Sequence, residues 1–208
     1  MSEGRAAFLA RTDVSRETME RLDLYAALLE RWTLRINLIS PKTLPQLWTR
    51  HFLDSAQLLA LAPAGGGLWA DLGSGGGFPG AVVAIVAAEG RPDFRFALIE
   101  SDQRKATFLR TVARETGVSF EVTAARVESL PSLGAAVLSA RALAPLSALI
   151  SFAKTHLSPA GRALFPKGAS AQAELAEALE TWSFDCETHP SETDEEAVIL
   201  SIGAIERV

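Results

Sequence analysis

Cysteine, histidine and long apolar runs are scarce in this chain of 208 residues. A single cysteine, Cys186, excludes an intramolecular disulfide, and three scattered histidines show no metal-ligand spacing. The longest wholly apolar run, Ala81 to Ala88, is far too short to span a bilayer, and the N-terminus lacks the basic-then-apolar pattern of a signal peptide. These absences predict a cytoplasmic protein with no metal site and no membrane association.

Acidic residues outnumber basic ones, and the net charge of −5 argues at first against a nucleic-acid partner. The distribution of the charge weakens that argument. Residues 1–168 contain 19 Lys plus Arg against 15 Asp plus Glu, a net of +4, whereas residues 169–208 contain 1 against 10, a net of −9. A mildly basic body can bind phosphates through a local patch, although solvated charged surfaces explain the same counts.

The most informative stretch is residues 68–80, where a short apolar run is followed by five glycines in eight residues. It predicts a buried strand, a tight glycine-rich turn, and a helix whose first turn contains Pro79. Backbone N–H groups at such a helix N-terminus can approach a ligand closely. We therefore expect the first βα unit of a nucleotide-type α/β fold, with a ligand at the turn.

Several ligands bind to a turn of this kind. Gly75, Gly77 and Gly80 match the dinucleotide fingerprint, but that match alone is weak, and a P-loop is excluded because no Lys follows the last glycine. Asp71 at the strand end favours S-adenosylmethionine (SAM), since a carboxylate attracts its ammonium and sulfonium groups and repels a pyrophosphate. The alternatives are a simple loop cap at Asp71, a NAD-linked oxidoreductase, and a non-catalytic nucleoside-binding module.

A second acid, Glu100, ends the next predicted strand, residues 94–100, where it can accept both ribose hydroxyls of a nucleoside. Residues 102–116 are predicted as a helix that Asp102 caps and Gly117 ends. The basic residues of that helix, which suggest an anion-facing surface, are Arg104, Lys105, Arg110 and Arg114. Strands and helices alternate to the end of the chain, with a helix predicted over residues 171–182 and strands over residues 184–186 and 197–202. This alternation predicts a mainly parallel sheet with helices on both faces.

Upstream of the glycine stretch, the pattern is helical. Residues 1–13 are predicted as a loose leader, and Ser15 as the N-cap of a helix that runs to about Ile36. Thr43 is predicted to open a capping box, with helical structure continuing through Leu61. The expected fold is thus a sheet-and-helix core with an N-terminal helical extension.

The chain divides into a helical region, residues 1–64, packed on a SAM-binding core, residues 65–208. Within the first part, a histidine, an aspartate and a serine lie among residues 51–55. Helical offsets cannot give them the geometry of a nucleophilic triad, so that function is excluded. The cluster either ties the helices to the core or places Arg50 and His51 at the rim of the site.

The motifs also follow one another in a specific order. They are Asn37-Leu38-x-Ser40, Arg50-His51-x-x-Asp54-Ser55, residues 71–80, Glu100-Ser101-x-x-Arg104-Lys105-x-x-Phe108-Leu109, Arg126-Val127-Glu128, Arg141-Ala142 and Lys167-Gly168. This series resembles the RsmG family, also called glucose-inhibited division protein B, over about residues 15–207. The resemblance implies a class I SAM-dependent methyltransferase with a Rossmann-like fold. It implies methylation of 16S ribosomal RNA at N7 of guanine 527, in the 530 loop, with 16S rRNA or the 30S subunit as partner.

The resemblance also implies roles for individual residues. Implied cofactor contacts are Gly73, Phe78, Val127, Glu128 and Arg141, and the residue pattern adds Asp71, Gly75 and Glu100. Candidate RNA contacts are Lys105, Arg126 and Lys167, with Arg50 and His51 at the rim. Arg141 follows the fourth predicted strand, where a methyl acceptor lies in this class. It is predicted to orient the guanine or the cofactor, and no general base is expected because guanine N7 has no proton to lose.

One departure from the family pattern concerns the C-terminal region. Asp194, Glu195 and Glu196 precede the last predicted strand, where some members of the family have a basic residue. We therefore expect this acidic region to face away from RNA.

Overall fold

Seven strands form one sheet in the computed structural model, which describes residues 3–208. In chain order they are β1 (Gly67–Leu72), β2 (Phe94–Ile99), β3 (Glu121–Thr123), β4 (Ala135–Ser139), β5 (Leu157–Lys167), β6 (Trp182–Pro190) and β7 (Val198–Arg207). Their spatial order is β3-β2-β1-β4-β5-β7-β6. The strands from β1 to β5 pair in parallel, and β7 is antiparallel to both of its neighbours. This topology confirms the predicted mainly parallel α/β sheet.

Helices cover both faces of the sheet, as predicted. Over residues 3–208 the α-helices are α1 (Glu3–Arg11), α2 (Arg16–Thr33), α3 (Asp54–Ala56), α4 (Gly80–Gly90), α5 (Gln103–Thr116), α6 (Leu146–His156) and α7 (Ala171–Leu179). Helices α1, α2, α4 and α5 share one apolar core with Trp69 and Phe96. Helices α6 and α7 share the opposite core with Leu72 and Leu138. Successive strand residues point to opposite faces, so each strand contributes to both cores.

The N-terminal segment corrects one prediction. In place of a loose leader, residues 3–11 form α1, whose Phe8 is fully buried. The Phe8 ring lies 5.6 Å from the Trp48 ring in an edge-on contact, and Arg5 pairs with Asp23 of α2 at 2.6 Å. Tertiary contacts of this kind hold the helix, and they leave little pattern in a segment of nine residues. Residues 1 and 2 of the predicted leader lie outside the described residues.

Helix boundaries agree with the predicted caps in most places. Ser15 caps α2 through a 3.0 Å hydrogen bond from Thr18 N, and α2 ends at Thr33, slightly before the predicted end. Helix α5 has the predicted Asp102 N-cap, and Gly117 ends it in the left-handed conformation. Helix α4 begins at Gly80, so Pro79 is its N-cap and lies just outside the first turn.

The segment between α2 and β1 is helical but irregular. It consists of a 3₁₀ turn (Leu44–Gln46), a π-helix (Leu47–Leu53), α3 and a second 3₁₀ turn (Gln57–Leu61). The predicted capping box is wrong, because the Thr43 side chain makes no cap hydrogen bond. Its hydroxyl instead donates to Ser40 O at 2.9 Å and lies 2.9 Å from His51 Nε2. The residue is thus used for a tertiary contact.

The C-terminal strands are longer than the sequence predicts. Strands β6 and β7 span 9 and 10 residues, whereas the pattern predicts only residues 184–186 and 197–202. The helix predicted over residues 171–182 ends at Leu179. Strand β6 is an edge strand whose residues are mostly exposed. Apolar and polar residues therefore alternate over only part of its length, and the pattern predicts only that part. Within residues 3–208, no helix is long and apolar enough to cross a bilayer.

Candidate active site

The loop between β1 and α4 is built from glycines that side chains would disrupt. Gly73, Gly75 and Gly77 have φ values of +67°, +57° and +98°, in the left-handed region that glycine adopts without strain. A Cβ atom at Gly80 would lie 2.5 Å from Asp71 Cβ, so the start of α4 presses against the end of β1. This glycine loop presents a backbone surface directly above the Asp71 carboxylate.

Asp71 itself is 0% exposed. Its Oδ1 accepts a hydrogen bond from Ser139 Oγ at 2.7 Å, and its Oδ2 has no hydrogen-bond partner in the described chain. Burial raises the pKa of this carboxyl to about 6, and its hydrogen bonds and the charge of Arg141 offset only part of that rise. A buried carboxylate beneath the loop is complementary in charge to a cationic ligand. Direct contact between Asp71 and a cofactor stays a prediction.

Glu100 joins the glycine loop to the next helix. Its Oε2 accepts from Gly75 N at 2.8 Å, and its Oε1 accepts from Asp102 N at 2.7 Å. Asp102 in turn caps α5 by accepting from Arg104 N at 2.8 Å and Lys105 N at 3.2 Å. Each carboxylate oxygen of Glu100 keeps a lone pair that can accept from a hydroxyl. The side chain therefore has a structural role besides the predicted ribose contact.

An aromatic layer supports the glycine loop from the N-terminal side. Tyr25 of α2 is fully buried and donates its hydroxyl hydrogen to Gly76 O. A Cβ at Gly77 would lie 2.2 Å from that hydroxyl oxygen, so the loop fits tightly on the phenol. The Tyr25 ring stacks on Phe52 at 5.2 Å and on Phe78 at 5.9 Å between centroids. The sequence did not predict this supporting role for Tyr25.

Arg141, just after β4, connects three segments of the chain. Its Nη1 donates to Asp54 Oδ2 at 3.0 Å and to Arg50 O at 3.2 Å, and its Nη2 donates to His51 Nδ1 at 2.7 Å. The guanidinium carbon lies 5.0 Å from the centroid of the Phe78 ring, a cation–π contact. These contacts fix the position of the guanidinium. The N–H of Nε and the second N–H of Nη2 have no partner in residues 3–208 and remain available as donors.

His51 supports Arg141 as a neutral imidazole. Burial, followed by the charges of Arg141 and Arg50, lowers the pKa of His51 to about 3. Arginine has no acceptor atom, so Nδ1 must accept the hydrogen bond and Nε2 must carry the proton. Nε2 then donates to Thr43 Oγ1 at 2.9 Å. With both ring nitrogens engaged, His51 offers no free lone pair to a substrate.

A cavity of about 880 Å³ opens beside Arg141, and we call it the β4–β5 cavity. Its walls come from the helical segment 46–54, the loop 141–145, the end of β5 with the start of α7, and the loop between β6 and β7. A volume of this size accommodates a nucleotide-sized ligand. A Cβ at Gly73 would lie 2.5 Å from Leu143 Cδ1, so the glycine loop and the cavity adjoin. The cavity also lies where the sequence predicts a methyl acceptor, after the fourth strand.

The predicted RNA contacts do not all lie at one surface. Lys167, at the end of β5, has a side chain only 11% exposed, and its Nζ donates to Glu174 Oε2 at 2.8 Å. Lys105 lies on the first turn of α5 and Arg126 is exposed after β3, and neither forms a salt bridge within residues 3–208. Lys167 is thus neutralised, whereas Lys105, Arg126 and the exposed Arg50 keep free charges.

Two residues predicted to contact the cofactor lie in a short 3₁₀ turn after β3, Val127–Ser129. Val127 is buried in the core below α6, and Glu128 is exposed to solvent. The turn follows the third strand, beyond β2 in the sheet, so it lies on the side of Glu100 away from the β4–β5 cavity. Its cofactor contacts stay a prediction.

The acidic C-terminal region forms part of the cavity wall, although it is predicted to face away from RNA. Glu174 and Asp194 both line the cavity. Asp54 holds the wall in place, since its Oδ1 accepts from Thr193 Oγ1 at 3.0 Å while its Oδ2 pairs with Arg141. Residues 139 positions apart make the first contact, so local sequence gives no signal for it. Glu174 lies only 7 positions from Lys167. Opposite charges this close in sequence were the one feature that could have indicated their ion pair.

SAM fits the residues at the glycine loop on three counts. The buried carboxylate of Asp71 places negative charge beneath the loop, which attracts the cationic groups of SAM. The loop lacks Cβ atoms where a nucleoside approaches, and Glu100 has free lone pairs for two hydroxyls. Within the described residues, no group of three or more His, Cys, Asp or Glu side chains converges as metal ligands.

Comparison with known proteins agrees with this geometry. The sequence model of the GidB family, described as rRNA small subunit methyltransferase G, matches residues 18–196. A Ribosomal RNA small subunit methyltransferase G from Cereibacter sphaeroides is 54% identical over 200 residues, covering 96% of this chain and 97% of that protein. A protein of the same description from a Ruegeria species is 51% identical over 208 residues, covering 100% of both. The structure of M. jannaschii TYW2 in complex with AdoMet has a TM-score of 0.56 at 11% identity, over 78% of each chain, which shows a shared fold.

Proposed function

The chain belongs to the rRNA small subunit methyltransferase G family, and on that premise we propose that it methylates N7 of guanine 527 in the 530 loop of 16S rRNA. The coarser activity, SAM-dependent methylation of small-subunit rRNA, follows from the family. The observation that supports the finer proposal is the fixed guanidinium of Arg141, which lies where the glycine loop meets the β4–β5 cavity. The reaction is placed in the cytoplasm, on 16S rRNA or the 30S subunit.

The glycine loop binds the methyl donor in this proposal. Asp71 supplies negative charge below the loop, Glu100 accepts from the ribose hydroxyls, and the backbone of Gly73 and Gly75 contacts the amino-acid part. The turn at Val127 and Glu128 contacts the adenine. The N-terminal part, residues 1–64, acts as the support of this loop and one wall of the cavity. When bound, SAM supplies a methyl group attached to a positively charged sulfur. The lone pair of N7 forms a bond to this methyl group as the C–S bond breaks.

The β4–β5 cavity holds the target guanine, and Arg141 orients it. No proton leaves N7 during the transfer, so the enzyme contributes position and charge and needs no general base. His51 is unsuited to that role in any case, because its Nδ1 accepts from Arg141 and its Nε2 carries the proton. The free donors of Arg141 suit the guanine O6 acceptor. The target must be an unpaired base, since N7 lies in the deep groove of A-form RNA.

RNA phosphates contact cations around the site that are exposed or half-buried. We define the basic rim as Lys42, Arg50, Lys105 and Arg126, none of which forms a salt bridge within residues 3–208. Lys42 adjoins Thr43, which touches His51, and Arg50 lines the cavity. Lys167 is assigned to the cavity wall because its charge is paired with Glu174. The rim explains how a chain with a net charge of −5 binds a polyanion.

The test is methyl transfer from labelled SAM to 30S subunits and to naked 16S rRNA that lack the modification, with the product base mapped. We expect at least one of the two substrates to react, and we expect the product to be N7-methylguanosine at position 527. Arg141→Lys keeps the charge but loses the planar fork, so we expect a slower transfer at unchanged SAM affinity. Methylation at another base or atom would overturn the assignment of the target.

A further inference from the structure

Unpaired charged groups of opposite sign come from different segments of the wall of the β4–β5 cavity. Arg50 and Arg141 lie on the side of the helical segment and the loop after β4. Another part of the wall is the loop between β6 and β7, which contributes Thr193, Asp194 and Ala197. A ligand that fits this cavity therefore needs hydrogen-bond acceptors along one edge and donors along the other.

Of the three carboxylates that line the cavity, two are already engaged. Asp54 accepts from Arg141, Gln57 and Thr193, and Glu174 accepts from Lys167 and from Leu146 N. The third, Asp194, is exposed and forms no salt bridge in the described chain. Its Oδ1 accepts from Glu196 N at 3.0 Å, and its Oδ2 has no hydrogen-bond partner among residues 3–208. Asp194 is thus the one carboxylate of the cavity that is free to bind a ligand.

The wall that carries Asp194 is held in a fixed position. Gln57 Oε1 accepts from Glu192 N at 2.9 Å, and Gln57 Nε2 donates to Ser191 Oγ at 3.3 Å. Thr193 Oγ1 donates to Asp54 Oδ1 at 3.0 Å. Asp54 also holds Arg141, so the cationic and anionic sides of the cavity are joined through one carboxylate. The distance between the two sides is therefore set by the fold before any substrate arrives.

Guanine has the matching distribution of polar groups. Its O6 and N7 acceptors lie on one edge, and its N1–H and N2–H₂ donors lie on the Watson–Crick side. Adenine presents an acceptor at N1 and has no 2-amino group, so a carboxylate repels it. We propose that Asp194 is a specificity-determining residue that accepts hydrogen bonds from N1–H and N2–H₂ of the target guanine. This inference rests on the proposed function, because it takes guanine N7 as the methyl acceptor.

The carboxylate has a second effect on the same reaction. As the N7–CH₃ bond forms and the C–S bond breaks, the positive charge leaves sulfur and the purine becomes a cation. The N1–H and N2–H₂ groups then become stronger donors, and their hydrogen bonds to Asp194 strengthen in the transition state. Asp194 therefore raises the transfer rate as well as selecting the base.

The test replaces the target guanosine by inosine, which lacks only the 2-amino group. Single-turnover methyl transfer is measured at saturating SAM for wild type, Asp194→Ala and Glu195→Ala. Glu195 is the matched control, since it is an exposed neighbouring acid that does not line the cavity. We expect wild type and Glu195→Ala to react about tenfold more slowly with inosine RNA, the effect of one lost hydrogen bond to a charged group. Asp194→Ala should react slowly with guanosine and show less than about a twofold difference between the two RNAs.

The outcomes separate this inference from the proposed function. Full discrimination against inosine by Asp194→Ala, or equal wild-type rates on both RNAs, would show that Asp194 does not read the base. Absence of N7 methylation by wild type on guanosine RNA would overturn the proposed function, and this inference with it. Unchanged SAM affinity and thermal unfolding of Asp194→Ala would show that its slower reaction does not come from a damaged fold.

Discussion

The glycine loop and the β4–β5 cavity lie side by side but are held together differently. Around the loop, acidic side chains accept from nearby backbone amides, as Glu100 does from Gly75 and Asp102. Around the cavity, charged side chains from separate segments pair with each other, as Arg141 does with Asp54 and Lys167 with Glu174. The conformation of the loop is therefore fixed mainly by backbone hydrogen bonds. The shape of the cavity is fixed mainly by ion pairs between side chains. A side-chain change should alter the cavity more selectively than the loop.

The largest effect is expected on the loop side, at its one unpaired buried charge. Asp71→Asn removes the buried carboxylate that we propose attracts the cations of SAM, and we expect SAM affinity at pH 8 to fall by about 1.5–3 kcal/mol. Asp71 has a pKa of about 6, so the wild-type advantage should shrink as the carboxyl is protonated below that pH. Titration calorimetry between pH 5 and pH 8 measures both effects, with Asp13→Asn as an exposed, distant control. Equal affinities for wild type and Asp71→Asn at pH 8 would contradict the assignment.

The same carboxyl gives a stability test without ligand. Its folded pKa is raised above the value of 3.8 for an ordinary aspartate, so ionisation favours the unfolded chain. The free energy of unfolding of the ligand-free protein should therefore decrease as pH rises from about 4 to about 7, by about 2–3 kcal/mol from this group. Urea unfolding of wild type against Asp71→Asn isolates the contribution, because the variant lacks this dependence.

The next largest effect tests whether the cavity depends on its ion pairs. Glu174→Gln leaves Lys167 without its partner, and we expect unfolding free energy to fall by about 1–2 kcal/mol. The Glu174 side chain loses solvent on folding, but its hydrogen bonds from Lys167, Ser170 and Leu146 N outweigh that and lower its pKa. The stabilisation should thus be present above the ordinary glutamate pKa of 4.5 and be lost as the pH falls through the lowered folded value. Glu177→Gln, an exposed acid on the same helix, is the control, and an equal loss there would refute the pairing argument.

A smaller effect distinguishes the basic rim from the neutralised Lys167. Replacing Arg50 or Lys105 with alanine should reduce the slope of log affinity against log salt by about 0.7–0.9 for each lost phosphate contact. Lys167→Ala should leave the slope unchanged, because Glu174 already pairs with that charge. Arg95→Ala at the start of β2, the opposite end of the sheet, is the control. Equal slopes for all four variants would mean that phosphates contact a different surface.

The smallest effect is expected in the pH dependence of the chemical step. The rate of single-turnover transfer at saturating SAM and RNA should stay nearly constant from about pH 6.5 to pH 9, above the Asp71 transition. His51, with a pKa of about 3, stays neutral throughout. Rapid-quench measurements over this range provide the test. A tenfold rise near the usual histidine pKa would require a general base and exclude the mechanism proposed here.

The sequence was most informative where contacts are local. The glycine stretch with Asp71, the acid after β2 and the caps at Ser15 and Asp102 all follow from short-range patterns, and the sheet follows from the alternation of strands and helices. The cavity was only partly predictable. Arg141 was identified, but its partner Asp54 lies 87 positions away and a cap hydrogen bond predicted at Thr43 is replaced by a contact with His51. Tertiary pairings of this kind leave no periodic signal in one sequence.

The phenol of Tyr25 under the glycine loop has a practical consequence. Tyr25 is the only tyrosine in the chain, and its hydroxyl donates to Gly76 O. Burial raises the pKa of this phenol well above its usual range, so it does not ionise while the loop stays closed over it. The single set of tyrosine ring resonances in NMR spectra therefore reports on one hydrogen bond of the glycine loop. The protein thus carries a native NMR probe directly beneath the glycine loop.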